Sequence, residues 1–276
     1  MGVCLQETVL GEDLVFDLSG RVAVITGGAG ALGLAVARAL DSLGAHTVLL
    51  GRSQETLARA SAQLSAGTNV NEAYVCDVAD ERSLMLTYER IIAKFSKVDI
   101  LVTCAAAGAL SGKFEETSLE QWRSLLSTDL DGVFLACRTF GRSMITQKHG
   151  RIVNLTSFHN VATYPYRSIY NAAKSGVEGL SRALAVEWGH HGITVNTVAP
   201  GPILTPRTQW FLDQDTANKA GMLARTPAIQ IGELADVSSA IAFLVSDEAK
   251  HINGQQIVID GGWTKNAWWG KHTDLQ

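Results

Sequence analysis

Ser157, Tyr170 and Lys174 are of the right types for proton exchange, and the last two share the run Tyr-Asn-Ala-Ala-Lys. Apolar spacing over 169–190 predicts a helix there, and a separation of four then sets phenol and ammonium on one helical face. A nearby ammonium stabilises a tyrosinate, which favours a tyrosine that trades a proton with an alcohol or carbonyl oxygen. Ser157 directly follows a strand-like run, 151–156, so its hydroxyl can hydrogen-bond the same oxygen. The plainer account lets Tyr170 pack and Lys174 face water. It explains each residue alone but leaves the strand-end serine and an upstream glycine turn as coincidences.

That turn lies in Arg-Val-Ala-Val-Ile-Thr-Gly-Gly-Ala-Gly-Ala-Leu-Gly, residues 21–33. Residues 21–26 read as a buried parallel strand, and 29–43 carry apolar residues at helical spacing. Gly27, Gly28 and Gly30 make the turn between them, and Gly28-x-Gly30-x-x-Gly33 fits a dinucleotide fingerprint in its strand–turn–helix context. The chemistry needs glycine because a pyrophosphate must come close to backbone N–H groups, with more donors at the helix N-terminus. After the second strand, 46–50, an acid would bind both ribose hydroxyls of NAD, but Gly51, Arg52 and Ser53 follow instead. Arg52 either pairs with the extra phosphate of NADP or faces solvent beside a helix start. NADP is the expected cofactor, with NAD the other option.

The elements that must position these groups repeat as strand then helix. Strands are expected at 71–76, 98–103, 151–156, 193–198 and 256–259, after the first two. Helices are expected at 54–64, from an Asp80 cap to residue 95, within 118–147 around a polar join, at 169–190 and at 232–245. No antiparallel hairpin signal interrupts the series. The expected fold is a single-domain, Rossmann-type α/β/α sandwich on a doubly wound, mainly seven-stranded parallel sheet. The organisation reads as an arm at 1–19, a dinucleotide-binding and catalytic domain at 20–264, and a tail at 265–276. Within the domain, 201–225 is expected to be irregular and to cover substrate.

Composition narrows the partners. Hydrophobic residues at 46% and charged residues at 18% describe a globular chain. A net charge of −4, with basic residues scattered, excludes the usual electrostatic footprint for nucleic acid or anionic membrane. No secretion signal and no apolar run long enough to span a bilayer stand in the sequence, so a cytoplasmic location is expected. Cys4, Cys76, Cys104 and Cys137 lack zinc-site spacing, and no histidine motif suggests a metal. Free thiols in a reduced compartment follow.

In order along 17–263, the glycine turn, Asp77, Ser157, Tyr170, Lys174, Asn196 and Pro200-Gly201 resemble the classical short-chain dehydrogenase/reductase family. The resemblance implies that Tyr170 is general acid in reduction and base in oxidation. It implies that Ser157 positions the carbonyl and that Lys174 binds the nicotinamide ribose while tuning Tyr170. It places Ala31, Leu32 and Gly33 in the nucleotide turn, Asp77 and Val78 by the adenine, and Cys104, Ala105 and Ala106 along the adenosine. Pro200, Gly201, Ile203 and Thr205 match the segment along the nicotinamide, and a homotetramer is implied.

Three positions depart from the pattern: Ala31 replaces a glycine, Thr-Cys-Ala-Ala at 103–106 replaces Asn-Asn-Ala-Gly, and Asp129 stands where an asparagine is usual. An ionised aspartate accepts but cannot donate, so the fourth catalytic position is altered. Cys104 reads as a packing residue. Between Ser157 and Tyr170, His159, Tyr164, Tyr166 and Arg167 suit a hydroxylated substrate, with Arg167 able to meet a carboxylate or simply face water. Trp210, Phe211 and Leu212 either cover substrate or anchor their loop, and Trp263, Trp268 and Trp269 suggest an interface. The expected reaction is hydride transfer between NADP(H) and a small alcohol/carbonyl pair such as a polyol, sugar or sugar acid. Reduction of a 3-oxoacyl thioester, or nucleotide binding with little catalysis, are the other readings.

Overall fold

Seven short strands pair into one parallel sheet. They are β1 (Val22–Thr26), β2 (His46–Gly51), β3 (Asn71–Val75), β4 (Ile100–Thr103), β5 (Gly150–Leu155), β6 (Ile193–Pro200) and β7 (Gln256–Ile259). Their order across the sheet is β3-β2-β1-β4-β5-β6-β7. The structure, a computed structural model, describes residues 16–64, 69–108 and 112–267. Cys4, Gly67, Trp268 and Trp269 lie outside these, with most of the arm and tail expected at 1–19 and 265–276.

Period-two alternation along a strand sends neighbours to opposite faces. In β1, Ala23 and Ile25 join one apolar cluster with Val36, Leu40, Leu57, Val237 and Ile241. Those partners come from α1 (Ala31–Ser42), α2 (Gln54–Ser61) and, near the chain's end, a helix at Leu234–Val245. Val22 and Val24 join the other cluster with Leu84, Ile91, Phe140 and Val177. Those come from α3 (Glu81–Phe95), from a helix at Gly132–Gln147 and from one at Ser168–Trp188. The result is the three-layer, doubly wound sandwich that the alternating pattern predicts. Because β1 neighbours both β2 and β4, chain direction across the sheet reverses beside β1, and a crevice opens beyond the strands' carboxyl ends.

The region 118–147 resolves into α4 (Leu119–Leu126) and α5 (Gly132–Gln147), joined by one π-helical turn at Ser127–Asp131. Ser118 and Gln121 form a capping box that starts α4. The long helix α6 (Ser168–Trp188) follows β5. The expectation of irregular chain at 201–225 is corrected: α7 (Pro206–Gln214) and α8 (Thr216–Arg225) fill most of it, before α9 (Leu234–Val245). Both are short and largely exposed, so they lack the apolar stripe that marks a core helix. Their excursion starts and ends at one point, an isolated parallel bridge between Ile203 and Gly232.

Candidate active site

Backbone geometry at the end of β1 makes the first half of the site. Gly27 has φ +64, and a Cβ there would lie 2.7 Å from the Ala105 backbone nitrogen. A Cβ on Gly33 would lie 2.3 Å from the Gly27 carbonyl oxygen. Glycine therefore lets the segment after β4 and the first turn of α1 close directly on the turn. Gly30 is the N-cap of α1, with no side-chain cap and no acid in the first turn. The first N–H groups, Ala31 among them, are left to an anionic ligand. The helix starts at Ala31, not at residue 29, because Gly30 is still extended.

A cavity of about 430 Å³ lies over this turn, lined by Gly27, Gly30, Arg52, Ser53, Asp77, Val78, Cys104, Ala105 and Ala106 among others. Arg52 is exposed at its rim. Ser53 also caps α2, its hydroxyl accepting from Thr56 N–H at 3.3 Å. The Asp77 carboxylate accepts from Ala79 N–H at 3.0 Å, which fixes it at the end of β3. Gly28, Ala31 and Gly33 do not line this cavity; Gly28 instead packs against Leu49.

The second half lies beyond β5 and β6. Ser157, Tyr170 and Lys174 line a cavity of about 350 Å³, with Leu32, Pro200, Gly201, Ile203 and Thr205 along its walls. It meets the first cavity at Cys104 and Ala106, which line both. Lys174 is buried, and its Nζ donates to the Leu155 carbonyl at 3.2 Å. That nitrogen lies 5.6 Å from the centre of the Tyr170 ring. The Ser157 hydroxyl accepts from His159 N–H at 3.4 Å.

Asp129 sits in the π-helical turn with no solvent exposure. One carboxylate oxygen accepts from Ala107 N–H at 2.7 Å, and the other lies 3.4 Å from Lys174 Nζ. An ion pair thus stands where a neutral amide was the familiar residue. The π turn supplies the placement: it adds a residue to the helix and sets Asp129 toward α6. Sequence spacing carries no signal for such a turn.

The outer wall is aromatic. His159 is buried, 4.3 Å from Phe158, 4.5 Å from Tyr164 and 5.7 Å from Tyr170, ring centre to ring centre. Burial, and then the charge of Arg167, lower its imidazole to about 4 from 6.5, so the ring is neutral near pH 7. Arg167 lines the cavity and stacks 5.7 Å from the Tyr164 ring. Burial pushes the Cys104 thiol up to about 12 against a smaller opposing pull from Lys174, which makes it a packing residue and not a thiolate.

Trp210 and Leu212, both in the segment expected to cover substrate or anchor its loop, are placed differently. Trp210 is 66% exposed and does not line the cavity, whereas Leu212 is 2% exposed and does. Two residues along a helix turn through about 200°, so α7 cannot present both inward. The Phe211 side chain lies outside what the structure describes. Phe158, Thr208, Met222 and Ile231 also line the cavity, without a sequence pattern that marks them beforehand. Among the described residues no three His, Cys, Asp or Glu side chains cluster as a metal site, and no helix is long and apolar enough to cross a membrane.

Comparison with known proteins fits this geometry. Residues 27–264 match the family model described as enoyl-(acyl carrier protein) reductase. D-threitol dehydrogenase of Mycolicibacterium smegmatis is 35% identical over 259 residues, covering 94% of this chain and 98% of that protein. The 3-oxoacyl-(acyl-carrier-protein) reductase of Haemophilus influenzae is 35% identical, covering 89% and 98%. A crystal structure of a gluconate 5-dehydrogenase from Burkholderia cenocepacia, in complex with NADP and tartrate, superposes with a TM-score of 0.86 at 30% identity, covering 91% and 98%. The chain belongs to the classical short-chain dehydrogenase/reductase family and is an NAD(P)-dependent oxidoreductase.

Proposed function

We propose that this enzyme transfers hydride between NADP(H) and a small hydroxylated alcohol or carbonyl compound, such as a polyol, sugar or sugar acid. One observation carries the reading: the cavity bearing Ser157, Tyr170 and Lys174 adjoins the cavity over the glycine turn, sharing Cys104 and Ala106 with it as lining residues. The residues suit the dinucleotide. Gly27 and Gly33 let the turn close tightly beneath the cavity, the N-terminus of α1 is uncapped by side chains, and Arg52 stands at the rim for a ribose phosphate. When bound, NADP(H) supplies or accepts the hydride.

The chain's own groups manage the proton. In reduction the Tyr170 hydroxyl gives its proton to the substrate oxygen, and in oxidation the tyrosinate takes it back. Ser157 donates a hydrogen bond to that oxygen and holds it beside Tyr170. Lys174 steadies the phenolate by its charge, binds the nicotinamide ribose and is itself held by Asp129 and the Leu155 carbonyl. Asp77 and Val78 take the adenine side, and Ile203 and Thr205 the nicotinamide side. Residues 201–225 serve as the lid, through Leu212 and Met222.

A relative that is a 3-oxoacyl-(acyl-carrier-protein) reductase, at 35% identity, keeps an acetoacetyl thioester in the test panel. Cofactor absorbance is followed across polyols, sugars, sugar acids, keto acids and that thioester. Turnover with polyols or sugar acids that falls at least about 100-fold in Tyr170→Phe is the expected result. Background rates in both proteins across the whole panel would overturn the reading. A cytoplasmic homotetramer completes the proposal; Leu119, Phe134 and Val186 are exposed apolar residues on α4, α5 and α6. Sedimentation of the full chain tests the assembly.

A further inference from the structure

His159 is a costly residue to bury. Its ring is held on three sides by Phe158, Tyr164 and Tyr170, and its backbone carbonyl accepts from the Asn171 side chain at 2.7 Å. Its Nδ1 is sealed from solvent with no hydrogen-bond partner among the described residues, although buried polar atoms normally have one. The ring also borders the cavity next to Ser157 and Tyr170, which leaves Nε2 as the nitrogen that can meet a ligand.

The charges around it settle what that ligand group is. Arg167 and Lys174 are cationic groups on the same cavity wall, and among the described residues no carboxylate lines it. A second cation on His159 is disfavoured there, so the ring stays neutral and is no counter-ion for a carboxylate. A neutral imidazole carries one donor and one acceptor nitrogen. A hydroxyl both donates and accepts, and so complements Nε2 in either tautomer.

We propose that His159 reads a hydroxyl on the carbon next to the reacting one, so that the preferred substrates are vicinal diols and their α-hydroxy ketones. The inference rests on the dehydrogenase reading above and narrows it. Ser157 and Tyr170 hold the oxygen that changes oxidation state, while His159, two residues beyond Ser157, holds its neighbour. Hydride and proton go to the carbonyl as before, and the second hydroxyl is unchanged.

The test uses a matched pair, 3-hydroxybutan-2-one and butan-2-one, reduced with NADPH by wild type, His159→Phe and His159→Gln. Phenylalanine keeps the ring contacts and removes both nitrogens; glutamine keeps a donor and an acceptor. His159→Phe is expected to lose about 10- to 100-fold in kcat/KM for the hydroxy ketone, with the plain ketone within about threefold. His159→Gln is expected to recover much of the loss. A second readout is the histidine ring ¹⁵N spectrum, in which butane-2,3-diol shifts the His159 signal and butan-2-ol does not. Equal losses on both ketones, no loss on either, or no diol-specific shift would overturn the inference while leaving the dehydrogenase reading in place. Wild-type rates no higher than those of Tyr170→Phe on every compound would remove that reading, and the inference with it.

Discussion

Replacing Asp129 by asparagine separates the two jobs its carboxylate does. The amide oxygen can still accept from Ala107 N–H, but the ion pair with Lys174 at 3.4 Å is lost. Unit charges at that separation attract by about 5 kcal/mol at an effective dielectric constant of about 20. Desolvation offsets part of this in the intact pair, and removing one partner of a buried pair costs about 3–5 kcal/mol. For a chain of this length, about 3 kcal/mol corresponds to a Tm lower by roughly 6–12 °C. Activity moves the other way. The carboxylate lies within about 9 Å of the Tyr170 ring, so it opposes a tyrosinate by about 1–2 kcal/mol. Asp129→Asn should therefore melt earlier, yet keep its kcat/KM near neutral pH or gain up to about tenfold in oxidation. The measurements are a melt followed by circular dichroism and kcat/KM against pH for both proteins. A hundredfold loss at every pH in a folded variant would refute the reasoning and make Asp129 a catalytic residue in its own right.

Arg52→Asp should weaken NADP far more than NAD, since it removes a phosphate partner and adds repulsion; an unchanged ratio of Kd values by titration takes Arg52 out of the specificity site. The buried His159 makes stability depend on pH. Its folded value of about 4 is below its ordinary 6.5, so between those values the unfolded chain binds a proton that the native state does not. Stability from this group is full above about pH 6.5 and falls as pH drops toward 4. Urea midpoints across that window should fall more steeply for wild type than for His159→Phe, and parallel curves would contradict this.

The sheet and the nucleotide turn were legible because each rests on a local rule. Parallel strands buried on both faces must be short apolar runs, and a backbone that closes on itself at Gly27 and Gly33 requires glycine at those places. Tyr170 and Lys174 were legible because helical period alone puts them side by side. The Asp129–Lys174 pair was not, since it depends on a π turn and on how α5 packs against α6. Which of Trp210 and Leu212 faces inward was hidden for a related reason, since it depends on the rotation of α7, which gives the inner position to Leu212. The two helices at 206–225 were hidden because short helices on a surface leave little pattern.

The bridge between Ile203 and Gly232 joins both ends of that excursion. Leu204 N–H donates to the Gly232 carbonyl at 2.7 Å, and Gly232 N–H to the Pro202 carbonyl at 3.0 Å. Residues 204–231 therefore leave and rejoin the fold at one stapled stem. Near its end the excursion is tied to the segment after β7, Ala228 N–H donating to the Gly261 carbonyl at 3.1 Å and the Asn266 side chain to the Arg225 carbonyl at 2.8 Å. The excursion is a cassette: Ser157, Tyr170 and Lys174 lie outside it, while Leu212, Met222 and Ile231 bring its own side chains into the cavity. Exchange of the cassette beyond Thr205 would recast the shape of the compound accepted and keep Ser157, Tyr170 and Lys174 where they are.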